Sequence, residues 1–213
     1  MRLAVEKLNK SFGKKHVLKD VSFAAESGSA LGLIGRNGSG KTTVTRLSDI
    51  SVIGYYVNAD DLKKQHNLSD LEAAQMADTI RNSLVDQRAD FTFETVLSTE
   101  RNLLLLQRSK ECGYEVRCIY VFTRNPDINI ARVKMRVLAG GHDVPEDKIR
   151  TRYYRALELL PRLIELCDKI DIYDNSVSPV RVISKRGKTL KFFPTSFWDE
   201  KGLKKLVGLP HQS

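Results

Sequence analysis

The sequence lacks the features of membrane and secreted proteins. It contains no apolar run of about 18 residues that could cross a bilayer, and its first six residues lack the apolar stretch of a signal peptide. Its cysteines, Cys112, Cys118 and Cys167, are odd in number and are not spaced like zinc ligands, which favours free thiols over a disulfide or zinc framework. We therefore expect a cytoplasmic globular protein without a membrane span, and 213 residues suit one α/β domain.

The positive charge also lacks the pattern of a nucleic-acid-binding protein. The formal net charge is +9, but the lysines and arginines are dispersed and no recognised nucleic-acid-binding motif accompanies them. A site for a polyphosphate needs basic residues as well. We therefore do not expect nucleic acid to be the main substrate.

One glycine-rich stretch has the spacing of a phosphate-binding P-loop. Residues 35–42 read Gly-Arg-Asn-Gly-Ser-Gly-Lys-Thr and lie between an apolar run at 30–34 and a segment with helical potential at 43–47. In such a loop the backbone N–H groups surround a phosphate, Lys41 reaches the β- and γ-phosphates, and the Thr42 hydroxyl helps hold Mg²⁺. The pattern predicts ATP and Mg²⁺ as cofactors. The predicted nucleotide-binding residues are Gly35, Asn37, Gly38, Ser39, Gly40, Lys41, Thr42 and Thr43.

The order of elements predicts an α/β fold with a P-loop NTPase or kinase-like parallel sheet flanked by helices. Alternating residues before position 30 predict an N-terminal antiparallel strand pair, and residues 180–193 predict a C-terminal β-hairpin. We expect an extension at 1–29 and a kinase domain at 30–213 with a lid-like segment at about 140–160. The predicted parallel strands are 30–34, 54–58, 91–93, 116–122 and 170–173, separated by helical segments.

The helical segments carry recognisable start and stop signals. Residues 69–72 form a capping box, and the apolar positions predicted to face the core of the following helix are Leu71, Ala74, Ala77, Ile80 and Leu84. The leucines at 103–106 are not followed by the acid of a Walker B strand, so we predict a helix there. Other helices are predicted from 125–126 to 140–141, from 145 to a break at Pro161, and in the basic tail at 198–209.

Three pairs of polar residues follow predicted parallel strands, where ligands bind in such sheets. They are Asp60 with Asp61, Glu94 with Thr95, and Arg124 with Asn125. Phosphoryl transfer needs a group that accepts the proton of the attacking hydroxyl and a group that orients the acceptor, and Asp60 and Glu94 suit these roles. The alternative is that Asp60 or Asp61 caps the next helix and that Glu94 is a surface carboxylate.

The segment after residue 140 carries basic residues that could close over a triphosphate. Arg150, Arg152 and Arg155 lie on one predicted helix, and the last two share a face. They are either a solvated basic face or a lid that neutralises charge in the transition state. His142 either donates to a phosphate or satisfies its own loop.

Residues 3–43 resemble the start of an ABC-type ATPase. The resemblance rests on Leu-Asn-Lys-Ser-Phe-Gly at 8–13, on residues 17–23 and on the loop at 35–43, and it implies that Phe12 stacks on adenine. No Gln-loop, LSGGQ signature, Walker B glutamate or switch histidine follows. We therefore do not expect an ABC ATPase that couples hydrolysis to transport.

The rest of the chain, from about residue 55 to 191, resembles the zeta-toxin family of P-loop kinases. The most specific match is Gly-Gly-His-Asp-Val-Pro at 140–145, followed by the arginine helix. Further matching stretches are 57–61, 93–95 with Ser98, 113–116, 131–136, 149–157 and 173–176.

This resemblance implies roles for individual residues. Asp60 matches the catalytic base, Glu94 the acceptor-binding acid and Arg155 a phosphate-contacting arginine, while Lys41 and Arg152 complete the predicted catalytic set. Asp61, Thr95 and His142 complete the predicted acceptor side with Glu94. The resemblance implies a kinase acting on a small-molecule acceptor, such as a UDP-linked amino sugar, and a protein antitoxin as partner. The alternative is an ATP-binding module or ABC-type ATPase component without kinase activity.

Overall fold

A computed structural model describes residues 2–12, 15–26, 28–35, 38–41, 52–141 and 143–209, with the first two of these ranges described by backbone alone. Its centre is a seven-stranded sheet in the order β4-β5-β3-β6-β7-β8-β9. The first five of these strands run parallel and the last two pair antiparallel, which confirms the predicted sheet and C-terminal hairpin. The strands are β3 (Ser29–Gly35), β4 (Tyr55–Asn58), β5 (Phe91–Thr95), β6 (Glu115–Phe122), β7 (Lys169–Asp174), β8 (Val180–Arg186) and β9 (Thr189–Phe192).

The helices begin where the sequence provides caps. Ser69 and Glu72 form the predicted capping box of α2, and the Asn125 side chain accepts from the Ile128 N–H at the start of α4. Pro161 lies in the first turn of α6, where its missing N–H costs no hydrogen bond, so the predicted break separates α5 from α6. The helices are α1 (Ala59–His66), α2 (Asp70–Asp86), α3 (Arg101–Glu111), α4 (Pro126–Leu138), α5 (Glu146–Glu158), α6 (Leu160–Leu166) and α7 (Glu200–Leu206). None of the helices in the described ranges combines the length and the apolarity needed for a membrane span.

The buried face of α2 matches the prediction in part. Ala77 and Leu84 are buried as predicted, whereas Leu71 is 64% exposed, and Ala73 and Arg81 are buried although they were not in the predicted set. Arg81 is tolerated there because its guanidinium pairs with Asp78 and lies over the Phe93 ring, with the Cζ atom 5.3 Å from the ring centroid. The apolar spacing therefore predicted the helix and part of its buried face, but not the exposure of Leu71 or the burial of a cation at Arg81.

The core lies on both faces of the sheet. The larger cluster on one face contains the buried rings of Phe91, Phe93, Tyr120 and Phe122, and helices α2, α3 and α6 contribute to it. A smaller cluster on the other face contains Leu31, Leu33, Ile53, Ile119 and Val121. All seven residues of β3 are buried between β5 and β6, so the strand that leads into the glycine-rich loop is fixed at the middle of the sheet.

The N-terminal segment forms the predicted antiparallel pair. Strands β1 (Arg2–Phe12) and β2 (Lys15–Glu26) make a two-stranded sheet of their own, with Arg2 opposite Glu26 and Phe12 opposite Lys15. The pairing register shifts at three points along the pair. An extra strand pair before β3 is therefore part of the described fold.

Candidate active site

The glycine-rich loop is shaped so that only glycine fits at key positions. A Cβ added at Gly35 would lie 2.7 Å from Lys41 Cγ and 2.8 Å from the Val121 carbonyl oxygen. Gly38 and Gly40 have φ of +79° and +83°, a conformation that side chains rarely adopt. This close, glycine-lined turn fits a polyphosphate, because it leaves the backbone N–H groups accessible. Arg36, Asn37, Thr42 and Thr43 lie outside the described residues.

The loop is also held by side chains from α4 and from the end of β7, which the sequence did not assign to the site. Asn175 donates through Nδ2 to the Ser39 carbonyl oxygen at 2.7 Å, and Arg132 donates to the Gly38 carbonyl at 3.4 Å and to the Ser176 carbonyl at 3.1 Å. Asn175 follows β7, and Arg132 lies on α4. Both lie in stretches that carry the family resemblance, which was the only signal in the sequence for their role.

Lys41 connects the loop to the neighbouring strand β5. Its Nζ donates to the Gly35 carbonyl oxygen at 2.7 Å and lies 3.3 Å from Glu94 Oε1, and its side chain is 11% exposed. Burial lowers the pKa of Lys41, an effect that the nearby carboxylates of Glu94 and Asp60 oppose and that Arg136 reinforces. The predicted lysine, acceptor-binding acid and base therefore lie at one end of the sheet.

Asp60 and Asp61 lie in the first turn of α1 and are not its cap. The cap is Asn58, whose Oδ1 accepts from the Asp60 N–H at 2.8 Å. The alternative that either aspartate caps this helix is therefore wrong, because the asparagine at the end of β4 already has the extended backbone of a cap. Helix capping therefore does not account for the presence of an aspartate at position 60.

Glu94 is partly buried and has donors on both carboxylate oxygens. Its side chain is 22% exposed, Oε1 faces Lys41, and Oε2 accepts from the Tyr56 hydroxyl at 2.9 Å and from Asn58 Nδ2 at 3.3 Å. Burial, together with the nearby Glu94 charge, raises the pKa of Tyr56 to about 12. Tyr56 and Asn58 were not predicted as site residues, although the two-residue period of β4 places them on one face and Asn58 opposite Glu94.

Thr95 and Asn102 extend the same side of the site. Asn102 is buried on α3 and donates through Nδ2 to Thr95 Oγ1 at 2.9 Å. Its Oδ1 accepts from Arg81 Nη1 at 3.4 Å. Thr95 is therefore held by a chain of polar side chains that ends at the buried arginine of α2.

The arginine helix is anchored close to the site, but its arginines are not joined to the acids. Tyr153 on α5 donates its hydroxyl to the Thr123 carbonyl at 2.8 Å, just beyond β6. Arg150 pairs with Asp127 at 2.6 Å. Among the described side chains, neither Arg152 nor Arg155 forms an ion pair with Asp60 or Glu94, and Arg155 is exposed. His142 lies outside the described residues.

A cavity of about 300 Å³ lies at the ends of β6 and β7. It is lined by Arg124, Ser176, Val177 and Phe197, and the Arg124 Cζ atom lies 3.8 Å from the centroid of the Phe197 ring. Asp174 also lines it and accepts from Trp198 Nε1 at 2.7 Å. Ser176 is a further lining residue, and its carbonyl oxygen accepts from Arg132, which also donates to the Gly38 carbonyl of the glycine-rich loop. The cavity is therefore linked to the loop through Arg132.

The chain matches a family model described as zeta toxin over residues 16–192. An uncharacterized protein of Haemophilus influenzae is 31% identical over 124 residues, which cover 56% of this chain and 88% of that protein. The methionine import ATP-binding protein MetN of Clostridioides difficile is 37% identical over 76 residues, which cover 36% of this chain but 23% of that protein. The similarity to ABC ATPases is therefore confined to a segment, as the sequence predicted.

Solved structures share the fold at low sequence identity. A structure from the PezAT chromosomal toxin-antitoxin system of Streptococcus pneumoniae superposes with a TM-score of 0.53 at 17% identity, covering 73% of this chain and 72% of that one. The AvrRxo1-ORF1:-ORF2 structure with ATP gives a TM-score of 0.64 at 17% identity, covering 87% of this chain and 64% of that one. These similarities confirm the predicted P-loop kinase-like architecture.

Proposed function

The chain belongs to the zeta-toxin family of ATP-binding P-loop kinases, and from this premise we propose that it transfers the γ-phosphate of ATP to a hydroxyl group of a small-molecule acceptor. A UDP-linked amino sugar is the acceptor that the family resemblance favours. The observation that carries the proposal is the contact between Lys41 of the phosphate cradle and Glu94 at the end of the neighbouring strand. The contact supports the proposal because the lysine proposed to bind the nucleotide lies 3.3 Å from the carboxylate proposed to hold the acceptor hydroxyl.

The nucleotide side of the proposed site consists of the glycine-rich loop and Lys41. ATP is the proposed phosphoryl donor, and Thr42 would be the protein ligand of Mg²⁺, which would neutralise charge on the transferred group. The backbone of Gly35, Gly38, Ser39 and Gly40 binds the phosphates, with Asn37 and Thr43 as further proposed contacts. Lys41 binds the phosphates by its ammonium group.

The acceptor side is supplied by α1 and β5. Asp60 takes the proton of the acceptor hydroxyl through its carboxylate, and Glu94 orients that hydroxyl through a carboxylate oxygen. Asp61 and Thr95 flank these two residues and are proposed acceptor contacts. The charge of Asp60 acts on Lys41, which supports its placement near the transferred group.

The cavity beside Arg124 is the proposed site of the nucleobase. Its volume of about 300 Å³ is at the lower end of small-ligand pockets, and a guanidinium and an aromatic ring suit a planar base. It lies next to Ser176, which Arg132 joins to the phosphate loop. Phe197 is therefore proposed for the base-stacking role that the ABC resemblance assigned to Phe12.

Residues 140–160 are the proposed lid, with residues 30–213 as the kinase domain and 1–29 as an extension. The lid carries Arg152, Arg155 and His142, which would bind the phosphates when it closes. Arg136, on the preceding helix, already acts electrostatically on Lys41. It is an additional candidate for neutralising phosphate charge.

A protein partner is also proposed. One structural neighbour comes from a toxin-antitoxin system, and another is a complex of two chains. By the family relationship we propose an antitoxin that binds this chain and inhibits its kinase activity. Co-expression of a small neighbouring gene, followed by the kinase assay below, tests it.

Incubation with γ-labelled ATP, Mg²⁺ and a mixture of UDP-sugars tests the kinase proposal. We expect label in a UDP-linked amino sugar, and loss of at least about 100-fold in rate for Asp60→Asn, since a positioned base contributes 10²- to 10⁴-fold. Asp70→Asn is the matched control, because Asp70 is an exposed acid in the first turn of the next helix. If no acceptor is labelled, or if Asp60→Asn transfers label at the parental rate, the proposal is wrong. ATP binding without transfer would favour the binding-module alternative.

A further inference from the structure

We propose that Lys41 and the acceptor use the same oxygen of Glu94 in turn, so that ATP binding uncovers the acceptor site, while Tyr56 and Asn58 hold the other oxygen in place. This inference rests on the proposed function. It adds an order of binding, in which ATP binds before the acceptor, and it assigns Tyr56 and Asn58 as positioning residues. The family relationship and the proposed roles of Asp60 and Glu94 require neither addition.

The first step of the argument is the division of the Glu94 carboxylate between two sets of donors. Oε1 lies 3.3 Å from Lys41 Nζ, whereas Oε2 accepts from the Tyr56 hydroxyl at 2.9 Å and from Asn58 Nδ2 at 3.3 Å. The oxygen nearer the phosphate cradle is therefore occupied by the lysine. A hydroxyl that approaches Oε1 has to compete with a cation.

The second step is that the nucleotide competes for the same lysine. The ammonium group that binds Glu94 and the Gly35 carbonyl is the group that a P-loop lysine uses for the β- and γ-phosphates. The Lys41 ammonium group has three N–H donors, which are too few to form good hydrogen bonds with the Gly35 carbonyl, Glu94 Oε1 and two phosphate groups at the same time. Binding of the triphosphate therefore draws Lys41 away from Oε1 and exposes an acceptor for a hydroxyl.

The third step is that Glu94 stays in place when the lysine leaves. Asn58 is fixed because its Oδ1 caps α1 through the Asp60 N–H at 2.8 Å, which leaves Nδ2 directed at Glu94. Tyr56 supplies the shorter of the two remaining bonds, from β4 at the edge of the seven-stranded sheet. These two donors keep the carboxylate oriented during the exchange.

The exchange predicts opposite changes in nucleotide affinity for two conservative variants. Glu94→Gln removes the anion that holds Lys41, so the nonhydrolysable analogue AMP-PNP with Mg²⁺ should bind about fivefold more tightly. Tyr56→Phe removes a donor from the carboxylate and leaves more negative charge for Lys41, so AMP-PNP should bind about twofold to threefold more weakly. Tyr55→Phe is the control, because Tyr55 is 65% exposed and points to the other face of β4.

Isothermal titration of purified protein with AMP-PNP measures these affinities, with thermal unfolding by circular dichroism to confirm that each variant is folded. Opposite shifts for Glu94→Gln and Tyr56→Phe, with no shift for Tyr55→Phe, support the exchange. Equal or weaker binding by Glu94→Gln overturns it. If Glu94→Gln does not fold, unchanged or tighter binding by Tyr56→Phe is sufficient to overturn it.

The proposed acceptor is tested separately by titration with UDP-N-acetylglucosamine, with and without saturating AMP-PNP. We expect at least about tenfold tighter binding of this probe when AMP-PNP is present, and loss of that coupling in Glu94→Gln. Equal affinity in both states contradicts the order of binding. Absence of binding in both states counts against the acceptor class, while the AMP-PNP shifts alone decide the exchange at Glu94.

Discussion

Substitution of Gly35 by alanine tests how tightly the phosphate cradle is built. The new Cβ would lie 2.7 Å from Lys41 Cγ, 2.7 Å from Ser39 Oγ and 2.8 Å from the Val121 carbonyl oxygen. These distances are about 0.7 Å shorter than ordinary van der Waals contact. The two side-chain atoms can yield, but the Val121 oxygen belongs to the backbone of β6, which pairs with β3 at this residue.

The strain therefore falls on the loop, which has to move away from β6 by roughly the missing distance. A displacement of about 1 Å in a positioned site costs about 100-fold in rate. We expect AMP-PNP to bind 10- to 100-fold more weakly, which corresponds to about 1.4 to 2.7 kcal/mol. The extra methyl group should also lower the free energy of unfolding by about 1 to 3 kcal/mol, because it overpacks the core.

Gly32→Ala is the matched control, three residues earlier on the same strand. Its Cβ would lie 3.0 Å from Cys118 Sγ and 3.4 Å from Ile34 Cδ1, in the core and away from the loop. It should lower the melting temperature while leaving AMP-PNP affinity within twofold of the parent. Isothermal titration and thermal unfolding measure both effects. Parental nucleotide affinity in Gly35→Ala would show that the cradle tolerates a side chain and that the reasoning is wrong.

Two further predictions concern stability. Ser69→Ala removes the reciprocal cap with Glu72 and should lower the free energy of unfolding by about 1 kcal/mol, measured by urea denaturation, without changing kinase activity; an unchanged urea midpoint would contradict this. Burial raises the pKa of Asp168, but hydrogen bonds from Lys110 and the Val116 N–H outweigh this effect and hold that pKa below its ordinary value. Because this folded-state pKa is depressed, its stabilisation is present above about pH 4 and lost as the pH falls through the lower folded value. Asp168→Asn should therefore flatten the fall in melting temperature between about pH 5 and pH 3, and an equally steep fall would refute this role.

Much of the fold could be predicted because the strands and caps are local features. The apolar runs within β3 and β6 are nearly continuous, as expected for parallel strands buried on both faces, whereas β7 alternates buried and partly exposed residues. The Ser69 capping box determines where α2 begins. The burial of Arg81 on α2 could not be predicted in the same way. Arg81 faces the core because Asp78 and the ring of Phe93 compensate its charge, and Phe93 lies on another element.

The candidate site was predictable where chemistry follows directly from a motif or a strand end. Lys41, Asp60 and Glu94 belong to this class, and their proximity follows from the parallel sheet. Asn175 and Arg132 support the loop from positions 136 and 94 residues away, a separation that no local pattern bridges. The alternation of β4 places Tyr56 on the same face as Asn58. An exposed tyrosine on a short strand does not by itself indicate a site residue, because its hydrogen bond to Glu94 is known only from the structure.

The order of the strands has a consequence for how such a kinase can diversify. The glycine-rich loop proposed to bind the nucleotide follows β3, which pairs with a strand on each side and has no exposed residue. Almost any substitution in β3 therefore disturbs the core. The proposed acceptor side begins on β4, an edge strand in which Val57 alone is buried. Substitutions at Tyr55 and Tyr56 therefore cost little stability, whereas those in β3 cost much. Selection can change what this chain phosphorylates more readily than the nucleotide it uses.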